Sequence, residues 1–139
     1  MGWFSRRPKT PPVPRQWFIT RKCLELILAS SQSSYPKEFG ALLRVDDEEK
    51  TTITEVVLLP GTISGNSHAI FKLYMLPIDY SVVGTVHSHP SSIARPSDAD
   101  LDLFGHFGRV HLIVGVSASG RTSWQAYDHE GRALDVQVR

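Results

Sequence analysis

The chain of 139 residues holds one cysteine, Cys23, so no intrachain disulfide framework can form and the fold has to rest on a packed core. A lone cysteine also fits a reducing compartment, and we expect a cytoplasmic protein. No stretch approaches the roughly 18 apolar residues of a membrane span, and the opening MGWFSRRPKTPPVPRQ lacks the apolar centre of a secretory signal. Myristoylation fails on register, because that signal needs Ser or Thr at the sixth position, where Arg6 stands. The strings HExxH, GxSxG, GxxxxGK[S/T] and GxGxxG are missing as well. Their absence argues against HExxH metalloproteases, serine hydrolases with a nucleophile elbow, P-loop enzymes and dinucleotide binders.

Charge of one sign is also scarce on average, since the net value is +1, but the average hides two unlike parts. Residues 1–22 carry six bases (Arg6, Arg7, Lys9, Arg15, Arg21, Lys22) and no acid, which leaves an excess of five acids in the remainder. Pro8, Pro11, Pro12 and Pro14 make the start an extended basic arm, residues 1–15, ahead of one domain, residues 16–139. Short arms of this kind are ordinarily solvated, so nucleic acid is not an expected partner. With 41% hydrophobic residues, a domain of this size buries roughly two-thirds of its unfolded surface and needs no staple to fold.

Within that domain, the apolar spacing from Trp17 to Ser30 reads as an amphipathic helix, with Thr20 a candidate N-cap for a start at Arg21 and the polar run Ser30–Pro36 ending it. Phe39–Val45 and Thr51–Leu59 read as a strand pair joined by the acidic turn Asp46–Glu49. Residues 60–67 read as a loop, and residues 69–75 suit a strand or a short helix equally. Val82–His87, His111–Ser117 and Thr122–Tyr127 are strands by composition, and Ser97–Phe107 is a helix with Leu101 and Phe104 on one face and acids in its first turns. The order implies an α+β or α/β layered domain.

The chemistry concentrates in GTVHSHPSSIARPSDADLDLF. His87 and His89 alternate along a strand end, so both imidazoles face one side, a geometry able to chelate. Such a pair is more often just hydrogen-bonded. Asp100 is the natural third ligand, brought back by a loop through Pro90 and Pro96. Ser97 and Asp100 also have the spacing of a helix capping box, an ordinary structural role. A calcium loop fails, since Leu103 and Arg109 stand where it needs Gly and Glu. Cys23 reads as a small buried apolar residue, and His68, His106, His111 and His129 have no ligand spacing.

Taken whole, His87-Ser88-His89-Pro90, six residues, Ser97, two residues and Asp100 resembles the signature of the JAMM, or MPN+, zinc metalloproteases, and Tyr35–Gly40 resembles the stretch around their upstream general base. The resemblance runs from about residue 17 to 127 and departs at Thr85, where many members carry Trp. It implies an MPN fold, cytidine-deaminase-like, with a mixed β-sheet flanked by helices. It further implies a zinc metalloprotease in which Zn2+ is held by His87, His89 and Asp100, with Glu38 as general base and Ser97 as donor to the oxyanion. The expected substrate is an isopeptide bond after the C-terminal glycine of a ubiquitin-like modifier. Two alternatives are an endopeptidase trimming a sulfur-carrier protein and a non-catalytic scaffold. The Gly61–Ala69 segment is expected to wall the substrate channel, and no long second insertion follows the second helix.

Overall fold

A computed structural model describes residues 15–58 and 80–139. The basic arm up to Pro14, the loop at 60–67, the ambiguous segment 69–75 and the expected channel wall at 61–69 lie outside the described residues. Trp17–Ile19 forms strand β1 and Arg21–Ser34 helix α1. Gly40–Val45 (β2) and Thr52–Val57 (β3) pair antiparallel, as the acidic turn predicts. Val82–His89 (β4), Asp98–His106 (α2) and Val110–Val116 (β5) make a parallel strand pair with a helical crossover. Thr122–Tyr127 (β6), Ala133–Leu134 (β7) and Val136–Val138 (β8) complete a mixed sheet of order β7-β6-β5-β4-β2-β3-β1-β8.

Two expectations about the first helix need correction. Trp17–Ile19 is extended: Trp17 and Ile19 are buried and the segment is hydrogen-bonded to Thr51 and Ile53, so the helix takes none of it. Three residues are too few to show their own period, and their apolar character merges with that of the helix that follows. Thr20 does cap the helix, accepting from the Cys23 amide at 3.2 Å. The helix also continues through Ser30–Ser34, where Ser31 is fully buried and its hydroxyl, donating back to the Ile27 carbonyl at 2.8 Å, is satisfied inside the helix. Two of the six early bases, Arg21 and Lys22, therefore sit exposed on the first turn of α1.

The edge strands β7 and β8 are separated in sequence by Asp135 alone. A flat sheet of eight strands would hold its edges about 33 Å apart, whereas two successive Cα steps reach at most about 7.6 Å. The sheet must coil until its edges meet. The concave side takes α1, whose Cys23, Leu24 and Ile27 share one core with Ala41, Leu43, Val86, Leu112, Val114 and Ala126. Strict alternation in β5 sends Val110, Leu112, Val114 and Val116 into that core and His111, Ile113 and Gly115 to the other face. There α2 packs, with Leu103 on Leu42 and Phe104 stacked on His111, centroids 4.2 Å apart. Gly84 makes the β4–β5 contact possible, since a Cβ there would lie 1.5 Å from the Val110 carbonyl oxygen.

Candidate active site

The outer face of β4 ends in His87 and His89, on one side of the sheet as their spacing predicts. His87 pairs in register with Gly40 of β2, which places Glu38, just ahead of that strand, beside the same strand end. The middle residue of the motif turns inward and does a separate task. Ser88 accepts from the Phe39 amide at 2.6 Å through its hydroxyl oxygen, while its own amide donates to the Phe39 carbonyl at 2.8 Å. This clamp fixes the backbone next to Glu38, and sequence reasoning missed it; the signal was a small polar residue on the core-facing side of a buried strand.

Four side chains from three segments lie close together: Glu38 ahead of β2, His87 and His89 of β4, and Asp100 of α2. His89 Nε2 lies 2.8 Å from Asp100 Oδ2 and His89 Nδ1 lies 3.1 Å from Glu38 Oε1. His87 Nδ1 is 3.9 Å from Asp100 Oδ1. Asp100 Oδ2 also accepts from the Ser97 amide at 2.9 Å, while Ser97 Oγ accepts from the Asp100 amide at 3.2 Å. The capping box is therefore complete, and the carboxylate it orients is the same one that meets both histidines. The capping role of Ser97 and Asp100 thus leaves the Asp100 carboxylate within reach of His89.

The electrostatics follow from burial. His87 is 1% exposed, and desolvation outweighs the attraction of Asp100 to bring its ring down to about 4, so it is neutral at pH 7. His89 is pulled the other way, chiefly by its hydrogen bond to Asp100 and further by Glu38. Burial alone would raise Asp100, but the hydrogen bonds from His89 and the Ser97 amide, with the fields of both histidines, hold it down at about 2. His111, beneath α2, is fully buried and falls to about 3, mainly by desolvation. Its Nδ1 meets Thr85 Oγ1 at 2.7 Å, while Nε2 is buried without a hydrogen-bond partner. Thr85, the departure from the family pattern, is thus the partner of a core histidine. Cys23 is buried and raised to about 11 by desolvation, the inert thiol expected of it.

These residues fit a metal by their chemistry. Both ring nitrogens of His87 are buried without a hydrogen-bond partner, an expensive arrangement for a neutral imidazole unless one nitrogen serves as a ligand. Two imidazoles and a carboxylate are a zinc donor set. Among the described residues, no three His, Cys, Asp or Glu groups stand around a common point, because His89 is turned directly onto Asp100. His89 and Asp100 would have to part to admit an ion between them.

The profile of the prokaryotic homologues of the JAB domain matches residues 20–127. The chain belongs to this family. It is 39% identical over 127 residues to a probable metalloprotease of Haloferax volcanii, covering 86% of this chain and 78% of that one. Among solved structures, one described as JAMM, a metalloprotease-like zinc site in the proteasome and signalosome, is 33% identical and superposes with a TM-score of 0.67 over 90% of this chain and 99% of its own. A JAB1/MPN domain protein from Archaeoglobus fulgidus is 34% identical with a TM-score of 0.63, over 87% and 97%. The chain thus has the JAB/MPN fold, an α+β sheet flanked by helices, and is a member of a metalloprotease family. No helix among its described residues is long and apolar enough to cross a membrane.

Proposed function

We propose that the chain is a zinc-dependent isopeptidase that hydrolyses the amide after the C-terminal glycine of a ubiquitin-like modifier conjugated to protein. The observation that supports this reading is that Asp100 lies 2.8 Å from His89 and 3.9 Å from His87, with Glu38 3.1 Å from the other nitrogen of His89. The three ligands would hold Zn2+, which supplies Lewis acidity sufficient to make water a nucleophile near neutral pH.

The protein's own groups take the remaining roles. Glu38, partly exposed at the outer edge of His89, is placed to take a proton from water and return it to the leaving amine. Ser97 uses its hydroxyl oxygen within the cap and donates to no acceptor among the described residues, so it can donate to the carbonyl oxygen as negative charge develops there. Asp100, held ionised by His89 and the Ser97 amide, keeps its charge while doing so. Short turns at 117–121 and 128–132 follow α2, so no long insertion stands on that side. This openness supports a single modifier tail as substrate, in preference to a linkage within a modifier chain.

The test incubates zinc-loaded protein with modifier conjugates and with a linear precursor peptide, and follows the products by mass. Release of intact modifier by the native chain and its loss in Glu38→Gln, with zinc content unchanged, is the expected result. Equal release by the two proteins refutes the role of Glu38. Cleavage of the linear peptide alone would assign C-terminal trimming in place of isopeptide hydrolysis.

A further inference from the structure

Between His89 and Ser97 the chain crosses the sheet as an irregular loop, and that loop is fastened down. Ser123 of β6 donates to the Ser92 carbonyl at 3.0 Å and Tyr127 donates to the Ala94 carbonyl at 2.7 Å. Gly115 of β5 lies directly beneath, where a Cβ would come 2.6 Å from the Ser91 carbonyl oxygen and 3.1 Å from the Ile93 carbonyl carbon. Loop backbones are ordinarily free to adjust. Here two side-chain anchors and a close backbone approach fix the path.

The side chains this backbone presents are not those of an idle surface. Ile93 is 57% exposed and Arg95 is exposed beside it. Both line a groove of about 370 Å³ whose walls include Pro90 and Pro96 and which opens onto His89 and Ser97. No carboxylate lines this groove, and Arg95 makes no ion pair among the described residues. Its charge is felt by the Tyr127 phenol. An unpaired cation and an apolar side chain on a fixed backbone, contiguous with the reacting centre, form a two-part recognition surface.

We propose that this groove is a substrate subsite in which Arg95 pairs with an acidic side chain close to the scissile amide and Ile93 packs on the extended backbone beside it. The inference rests on the isopeptidase reading and adds the sequence preference of its substrate. Arg95 and Ile93 select the substrate and take no part in moving protons.

The experiment uses the zinc-loaded Glu38→Gln protein, so that binding is read without turnover, and a fluorescent peptide series. In the series a single Glu is walked from three residues before to three residues after the scissile bond, with Gln and Lys counterparts at each place. One position is expected to bind about fivefold more tightly with Glu than with Gln, the scale of a partly exposed ion pair. Adding Arg95→Gln should erase that difference, and Arg95→Glu should reverse it toward Lys. Ile93→Ala should weaken every peptide alike. Equal binding of Glu and Gln at all positions, or a Glu preference that survives Arg95→Glu, overturns the proposal. Charge-dependent binding with no cleavage by the native chain would refute the isopeptidase reading and leave the subsite standing; cleavage indifferent to charge would do the reverse.

Discussion

Acid should unfold the metal-free protein through two rings that the fold keeps neutral. His87 and His111 are each essentially buried, with folded values near 4 and 3 against an ordinary 6.5. A histidine lowered on folding takes up its proton first in the unfolded chain, so its contribution is intact above 6.5 and is lost as pH falls toward the folded value. Each such ring costs about 1.4 kcal/mol per pH unit, so at pH 5 each has removed about 2 kcal/mol and the two together about 4 kcal/mol. That is a large part of an ordinary domain's stability of about 5–15 kcal/mol. The other members of the site do not interfere between pH 6 and 5. His89, raised by Asp100, keeps its full contribution below 6.5 and loses it only as pH rises through its folded value. Asp100, lowered to about 2, loses its own only below 3.8. Urea unfolding of chelator-stripped protein at pH 7, 6, 5.5 and 5 measures the slope, and His111→Asn apportions it, since the Asn amide can still meet Thr85 where Nδ1 does. The native slope should approach about 3 kcal/mol per pH unit and the variant's about half of that. Identical slopes would mean that His111 is not held neutral, and the burial argument would fall.

Three further outcomes follow from the same geometry. Ser97→Ala should cost about 1 kcal/mol through loss of the cap and lower kcat roughly 100-fold with little change in KM; a kcat loss no larger than the destabilisation accounts for would confine Ser97 to capping. Gly115→Ala should push the 91–93 backbone away from β5 and raise KM roughly tenfold, and an unchanged KM in steady-state assays would show that the loop's path does not matter. Zinc uptake at pH 6 should release about one proton, that of His89, because His87 is already neutral; calorimetry in buffers of different ionisation enthalpy would refute this by finding two.

Much of the site was legible in the chain because its geometry is local in sequence. Alternation places His87 and His89 on one face, and the Ser97 to Asp100 spacing dictates the cap; the expected ligand set itself comes from the resemblance to the JAMM signature and not from local geometry. The helix that begins at Arg21 announces itself through Thr20, and the hairpin through its acidic turn. The parts that escaped depend on partners far along the chain. Trp17–Ile19 is a strand only because Thr52, Ile53 and Val136–Val138 lie on either side of it. Ser88 and Thr85 look like fillers until Phe39 and His111 are brought against them. His111 itself carries no spacing signal, since what makes it notable is Phe104 lying over its ring. The 91–95 loop is held by Gly115, Ser123 and Tyr127, none of which neighbours it in sequence.

The meeting of the sheet's two edges also sets an order of assembly. β1 is synthesised well before β8, one of its two partners, and Gln16 reaches the Asp135 carbonyl across 119 residues of sequence. The Arg21 amide donates to the Arg139 carbonyl, and the Arg139 guanidinium lies 3.7 Å from the Phe18 ring centroid. A nascent chain that ends at Ala133 can therefore pair β2 with β3 and β4 but leaves one flank of β1 bare. Closure of so distant a pair is entropically slow and comes late in folding. During synthesis the exposed flank of β1 is an open strand edge, the kind of surface on which chains aggregate. Val136–Arg139 act as the clasp that ends this exposure, so their deletion should lower the yield of folded protein far more than it disturbs the distant His87, His89 and Asp100.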